Sequence, residues 1–200
     1  MVKPTIDKFG TIHFSDYPDF RPNLTPEQIF RMGSFGGTYW RPIKSEITGE
    51  SYSNEHLKFP KKWWKGINDI WLINPENQYD KNINKYKVEC GSSLEDWENS
   101  GWILKYDPYG WVQWYCNFFL GRRGKNLEEK KYDEYQIKRW KNFAGENGRF
   151  RKSLITYILR KNKSYDDFSV SPKIRQSLQH WAYILTEPDF INEIENRKKK

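Results

Sequence analysis

The sequence has few of the residues from which metal centres and disulfide frameworks are built. Its 200 residues include two cysteines and three histidines, which lie far apart along the chain: Cys90, Cys116, His13, His56 and His180. A zinc site needs clustered Cys and His side chains, and two distant cysteines cannot form a disulfide framework. The sequence therefore predicts no metal site and no cofactor, and it favours a reducing, intracellular compartment.

Long apolar runs are also missing. No stretch approaches the roughly 18 consecutive apolar residues of a membrane-spanning helix, and the first residues lack the apolar core of a secretory signal peptide. We therefore expect neither a membrane partner nor secretion. These features leave the oligomeric state open.

Recognisable catalytic motifs are missing as well. There is no Gly-x-Ser-x-Gly nucleophile motif. The glycine-rich segment 33–42 lacks the lysine of a phosphate-binding loop, and we interpret it as a tight turn into a strand around 38–43. Cys116 lies within an aromatic helical run, which predicts a buried and unreactive thiol. Whether the protein is an enzyme stays open.

What the sequence has in abundance is aromatic residues. They make up 18% of the chain and include ten Trp. Disordered chains are poor in aromatics, so we expect a folded chain whose core consists largely of rings. The length suits one domain. We predict an extended arm over 1–24, a globular domain over 25–188 with a possible boundary near 105, and a short helix or basic tail over 189–200.

Local helix signals predict the fold class. Thr25, Pro26 and Gln28 have the pattern of a capping box, and Ser92 with Glu95 repeats it. Strands are predicted at 11–14 and 69–73. Apolar residues then recur at helical spacing in four segments, 111–118, 137–144, 150–158 and 174–185. The protein is therefore predicted to be mainly α, with an irregular, partly β N-terminal third and a small helical bundle in the C-terminal half.

Positive charge is concentrated in the second half of the chain. Residues 1–105 carry fourteen Lys and Arg against fourteen Asp and Glu, whereas residues 106–200 carry twenty against twelve, which accounts for the whole net charge of +8. Segregation of this kind is typical of a basic patch. A helix predicted over 149–163 places four of these cations on one stripe.

The basic segments alternate with aromatic residues, a combination that suits nucleic acid because cations bind phosphates and rings stack on bases. We predict eight phosphate-binding residues: Arg122, Arg123, Lys138, Arg139, Arg149, Arg151, Lys152 and Arg160. Rings next to cations are the stacking candidates: Tyr109, Tyr132, Tyr135, Trp63 and Trp64. Trp114 and Phe118 recur at helical spacing and are instead predicted to lie in the core.

Three carboxylates near the basic segments are the only candidates for a magnesium site, and we interpret each as a helix cap or an ion-pair partner: Asp107, Asp133 and Glu134. His180 is predicted to be a packed or surface residue. A helix-turn-helix motif is disfavoured, because the link between the predicted helices around 163–171 exceeds the three or four residues that this motif uses.

One long motif carries a resemblance. The run Asp107-Pro-Tyr-Gly-Trp-x-Gln-Trp-Tyr-Cys-x-Phe-Phe-Leu-Gly-Arg-Arg123 resembles a motif of a family of uncharacterised proteins from large DNA viruses and fungi. The similarity continues at 33–42, 136–140, 148–151 and 171–181, so that it covers most of residues 30–185. That family has no established activity, and the resemblance implies a viral or fungal relationship but no mechanism.

The sequence thus predicts a nucleic-acid-binding protein with low sequence specificity, acting on DNA or RNA through a basic, aromatic-rich helical surface. Two alternatives stay open. One is a structural or interaction module, such as a virion or assembly component. The other is a metal-dependent enzyme acting on nucleic acid, which would need a deep cleft lined by the carboxylates named above together with Arg122.

Overall fold

Short helices account for most of the regular structure in the computed structural model, which describes residues 3–74 and 78–199. Eight α-helices lie in these ranges: α1 (Pro26–Arg31), α2 (Lys61–Trp64), α3 (Leu94–Asn99), α4 (Trp111–Phe119), α5 (Leu127–Phe143), α6 (Arg149–Arg160), α7 (Pro172–His180) and α8 (Glu187–Lys198). Strand β1 (Thr5–Ile6) pairs antiparallel with β2 (Ile12–His13), and β3 (Ile43–Lys44) pairs likewise with β4 (Ser51–Tyr52). The predicted fold class, mainly α with a partly β N-terminal third, is confirmed.

The starts of two helices test the capping boxes that were predicted from the sequence. At α1, the Thr25 hydroxyl accepts from the Gln28 amide and the Gln28 side chain accepts from the Thr25 amide, so the predicted capping box is present. At α3 the box is formed by Ser93 and Asp96, one residue later than predicted. Two adjacent serines followed by two adjacent acids satisfy the same pattern in either register, and the pattern alone does not decide between them.

Helices α6 and α7 end earlier than their apolar spacing predicts. Helix α6 stops at Arg160 rather than 163, and Asn162 adopts a left-handed conformation with φ of +48°. Helix α7 stops at His180 rather than 185, because Ala182 turns the chain with φ of +56°. The carbonyl of Ala182 then accepts from the amides of Asn23 and Leu24, so a distant segment stabilises this end.

The glycine-rich segment 33–42 is a turn, as interpreted from sequence, but its strand begins only at Ile43. Close packing explains the glycines. A Cβ on Gly33 would lie 1.9 Å from the carbonyl oxygen of Ile83, and one on Gly36 would lie 2.6 Å from the Tyr79 ring. The predicted strand at 69–73 is a 3₁₀ turn, Asp69–Trp71.

The N-terminal segment 3–24 lies against the helices. Ile12, Phe14 and Phe20 are buried, and Phe20 packs on the rings of four core residues at centroid distances of 5.1 to 6.0 Å: Trp114, Tyr115, Phe118 and Trp140. Trp114 and Phe118 are fully buried, which confirms their prediction as core residues. The predicted arm therefore contributes to the core that holds α4 and α5 together. Towards the other end of the chain, a short helix or a basic tail was predicted over 189–200. The structure has a helix there, α8.

Among the described residues, no helix combines the length and the apolar composition needed to cross a membrane.

Candidate binding cleft

Three of the eight predicted phosphate-binding residues are held by carboxylates. Arg122 forms a two-pronged ion pair with Asp107, which is completely buried and also accepts from the Asn117 amide at 2.9 Å and the Tyr132 hydroxyl at 3.1 Å. We refer to these four side chains as the Asp107 hub. Because a bidentate carboxylate occupies its guanidinium, Arg122 serves to satisfy a buried charge and is poorly placed to bind phosphate.

Arg123 and Arg151 are engaged in the same way. Arg123 donates to Asp16 at 2.6 Å and to the carbonyl of Phe118 at 2.7 Å, with its guanidinium 3.5 Å from the centroid of the Phe118 ring. Arg151 is buried and lies 2.9 Å from the Asp189 carboxylate. The structure therefore gives these two residues, like Arg122, structural partners.

The remaining five predicted cations divide by location. Lys138 and Arg160 are exposed and Lys152 is half-buried, and none of the three lines a cleft. Arg139 on α5 and Arg149 at the start of α6 both line one cleft of about 730 Å³. They are joined there by Lys173 on α7, a residue not predicted from sequence.

Aromatic rings form most of the cleft wall. Six of them are contributed by α3 to α7 and the adjoining segments: Trp97, Trp102, Trp111, Phe143, Phe150 and Trp181. Four stand in a column, with centroid distances of 3.9 Å from Phe150 to Phe143, 4.9 Å from Phe143 to Trp181 and 4.7 Å from Trp181 to Trp111. Phe150, Phe143 and Trp181 are only half-buried, so the column presents ring surface to the cleft.

The charge of this cleft has one sign. Among the described residues, no Asp or Glu lines it, and no carboxylate lies within ion-pair distance of Arg139, Arg149 or Lys173. Arg149 instead lies 5.3 to 5.9 Å from the Phe150 and Phe143 ring centroids. The cleft therefore offers cations beside aromatic faces with no internal anion to neutralise them.

Arg139 is the least exposed of the three cations. It is half-buried, and its Nη1 donates only to neutral oxygens, the carbonyl of Trp102 at 3.2 Å and Oε1 of Gln136 at 3.1 Å. The guanidinium carbon also lies 5.2 Å from the Trp181 ring centroid and 5.4 Å from that of Trp102. Burial lowers the pKa of Arg139. A partly desolvated cation without an anion is costly, and an anionic ligand in the cleft would relieve that cost.

The helices that begin at this cleft reinforce its positive potential. Helices α4, α6 and α7 each place first-turn residues in the cleft wall, and none has a side-chain cap or an acidic residue in its first turn. Helices α1, α3, α5 and α8 each have a side-chain cap and an acidic first turn. Since the N-terminal end of a helix carries partial positive charge, three such ends add to the three cations.

A cysteine and a histidine form part of the cleft floor. The His180 ring stacks on Phe35 at 3.8 Å, and its Nε2 accepts from the Phe35 amide at 3.0 Å. The proton of the neutral ring is therefore on Nδ1, which lies 3.6 Å from Sγ of Cys90. Burial lowers the pKa of His180 to about 3 and raises the pKa of Cys90 to about 11. An imidazole in this tautomer cannot accept the thiol proton, so the pair does not activate a nucleophile.

The carboxylates considered for a metal site have other partners or positions. Asp107 belongs to the hub, Asp133 is buried and accepts from the Trp114 indole at 2.7 Å and the Gly124 amide at 2.8 Å, and Glu134 is exposed. Within the described ranges, no group of three or more His, Cys, Asp and Glu side chains is arranged to hold a metal ion. The interpretation of Asp107 as an ion-pair partner is confirmed.

The prediction of exposed stacking rings was mostly wrong. Tyr109, Tyr132 and Trp63 are buried, although Tyr109 also lines the cleft. The Tyr109 hydroxyl donates to the carbonyl of Arg41, the Tyr132 hydroxyl donates to Asp107, and Trp63 packs on Phe59. Trp64 is half-buried, and only Tyr135 is exposed. A sequence signal could have located some of the rings that line the cleft. Helix α6 begins with a basic and an aromatic residue, at positions 149 and 150, and has no Asp or Glu in its first turn.

Comparison with known proteins found no matching family model, no matching curated protein and no matching solved structure. The resemblance to the family of large DNA viruses and fungi therefore stays a prediction.

Proposed function

We propose that this protein binds nucleic acid in the cleft, with phosphates at Arg139, Arg149 and Lys173 and unpaired bases stacked on the aromatic wall. One observation supports the proposal: in the described part of the chain, three cations without carboxylate partners line a cavity that has many aromatic rings and no Asp or Glu in its wall. Cations for phosphates and rings for bases are the two components of single-strand binding sites.

The dimensions of the cleft favour a flexible, unpaired ligand. A volume of about 730 Å³ is within the range of sites that enclose most of a small organic molecule. Bases within a duplex present only their edges, so rings inside a cleft can stack only on bases that leave the duplex. Phosphate contacts and stacking are insensitive to base identity, which agrees with the low sequence specificity expected from the sequence.

Neither alternative gains support from a comparable observation. The cleft is lined by none of Asp107, Asp133 and Glu134, so the proposal contains no catalytic step. The intracellular location is part of the same proposal, and it agrees with Cys90 and Cys116 being free thiols.

The test is equilibrium binding of fluorescent 15-nucleotide single strands and matching duplexes across a series of salt concentrations. Each phosphate contact on a single strand contributes about 0.7 to the slope of log affinity against log salt, so three contacts predict a slope of about −2. We expect single strands to bind more tightly than duplexes. An affinity that does not respond to salt, or equal binding of duplexes, would contradict the proposal.

A matched pair of variants on one helix locates the site. Arg149→Gln removes a cleft cation from the start of α6, whereas Arg160→Gln makes the same change at its exposed end, outside the cleft. We expect Arg149→Gln to weaken binding about tenfold and to reduce the slope by about 0.7. Arg160→Gln should stay close to the unsubstituted protein, and equal losses in the two variants would place the ligand elsewhere.

A further inference from the structure

A second compartment continues the cleft. It has a volume of about 480 Å³ and shares part of its wall with the first, since Phe35, Tyr39, Cys90, Trp97 and Tyr109 line both. A strand whose phosphates lie at the cations of the first compartment could therefore place a neighbouring base in the second without leaving the surface.

The second compartment differs from the first in the charges that it contains. It is lined by one arginine and two carboxylates, Arg41, Glu89 and Asp96. Arg41 is half-buried and donates to the carbonyl of Thr38 at 2.9 Å. Among the described residues, neither Arg41 nor Glu89 has an ion-pair partner. Asp96 accepts from the Ser93 amide through Oδ2, which leaves Oδ1 for another donor.

This set of side chains has the hydrogen-bonding character of a base-reading site. Arginine donates to the O6 acceptor of guanine, and carboxylates accept from ring N–H and amino groups. On its Watson–Crick edge guanine carries O6 next to the N1–H and N2 amino donors. Adenine and cytosine each offer an amino group there but no ring N–H, whereas thymine offers O4 beside N3–H but no amino group. Unpaired bases are read on this edge by proteins that bind single strands.

We infer that the second compartment binds an unpaired guanine, with Arg41 donating to O6 and Glu89 and Asp96 accepting from N1–H and the N2 amino group. The ring is enclosed by the aromatic residues that the two compartments share. This inference rests on the proposed function, because the first compartment holds the phosphates of the same strand. It adds one guanine-selective position to an otherwise unselective site.

The experiment uses oligothymidylate 15-mers whose central residue is replaced by dG, dA, dC or deoxyinosine, measured by fluorescence anisotropy at fixed salt. We expect the dG strand to bind about tenfold more tightly than unsubstituted oligothymidylate. Deoxyinosine keeps O6 and N1–H but lacks the amino group, so its affinity should fall between the two. The dA and dC strands should bind less tightly than the dG strand.

Two glutamate variants separate base recognition from general binding. Glu89→Gln neutralises one of the two carboxylates of the compartment, whereas Glu95→Gln makes the same change at an exposed residue of α3 outside both compartments. We expect Glu89→Gln to lose most of the dG preference. Glu95→Gln should keep the preference.

The outcomes distinguish the two claims. Equal affinity for all strands, together with salt-dependent binding that Arg149→Gln weakens, would overturn the guanine site and leave the proposed function standing. A dG preference that survives both Glu89→Gln and Arg41→Gln would also overturn the assignment. If no strand binds at low salt, the inference and the proposed function are both wrong.

Discussion

The Asp107 hub and the cleft use the same residue types in opposite ways. In the hub, Arg122 meets a completely buried carboxylate that also accepts from Asn117 and Tyr132. In the cleft, Arg139 is half-buried among rings and donates only to neutral oxygens. The first arrangement is self-sufficient and serves folding, whereas the second leaves positive charge uncompensated, as a site for an anionic ligand would require. What distinguishes the two arginines is whether a carboxylate is paired with the guanidinium, and not whether the residue lies in a basic motif.

The largest expected effect tests the hub. Asp107→Asn keeps the shape of the side chain but removes the charge that compensates Arg122. Breaking a buried ion pair by neutralising one partner costs about 3 kcal/mol or more, so we expect a loss of this size in the free energy of unfolding, measured by urea denaturation.

The Asp19–Lys141 pair provides the control. Its distance of 2.9 Å is similar, but its side chains are 77% and 43% exposed. Exposed pairs contribute about 1 kcal/mol or less, so Asp19→Asn should change stability by no more than that. Comparable losses of unfolding free energy in Asp107→Asn and Asp19→Asn would show that the buried pair stabilises the fold no more than an exposed one.

The second effect concerns the cleft floor and depends on pH. The folded-state pKa of His180 is lowered to about 3 from 6.5 in the unfolded chain. The unfolded state therefore binds the proton first, so His180 contributes stability that is present above about pH 6.5 and is lost as the pH falls towards 3. We expect a slope of about 1.4 kcal/mol per pH unit from this group between roughly pH 6 and 4.

His180→Gln isolates that contribution. Carboxylates also titrate in this range, so the quantity to compare is the difference in unfolding free energy between the two proteins at each pH. That difference should shrink by about 1.4 kcal/mol per unit on acidification, because the glutamine does not titrate. A difference that is independent of pH would mean that the folded protein leaves the pKa of His180 at its ordinary value, and the burial of its ring would be contradicted.

Features that depend on neighbouring residues could be predicted from the sequence, whereas features that depend on distant residues could not. The start of α1 at Thr25 and the burial of Trp114 and Phe118 were predicted correctly, because capping and helical spacing act within a few residues. The cleft itself was not predicted, although two of its three cations, Arg139 and Arg149, are among the predicted phosphate-binding residues. Lys173 lies 24 residues beyond Arg149 in the sequence, and no local pattern indicates that the starts of α6 and α7 meet.

The hub was predicted only in part, through Asp107 as an ion-pair partner. Its ion pair joins residues 15 apart in the loops on either side of α4, and a rule that counts cations in the sequence does not show which of them is already neutralised. The basic, aromatic motif was therefore interpreted as a binding surface, although its two arginines, Arg122 and Arg123, are engaged with Asp107 and Asp16. The end of α7 depends on hydrogen bonds from residues 23 and 24 to Ala182, which apolar spacing cannot anticipate.

The smallest expected change in stability gives the sharpest contrast between the two regions. Arg139→Met keeps the length and apolar stem of the side chain but removes its charge. The loss of two hydrogen bonds to neutral oxygens lowers the free energy of unfolding, whereas the removal of an uncompensated, half-buried cation raises it. Because the two contributions oppose each other, we expect a net change within about 1 kcal/mol. Affinity for a single strand should fall at least about tenfold, because a charged contact to phosphate is lost.

Arg122→Met, the same substitution in the hub, should instead destabilise the fold by about 3 kcal/mol, because it leaves Asp107 buried without its partner. If Arg139→Met unfolds the protein as Arg122→Met does, both arginines are structural and the cleft has no need of an anion.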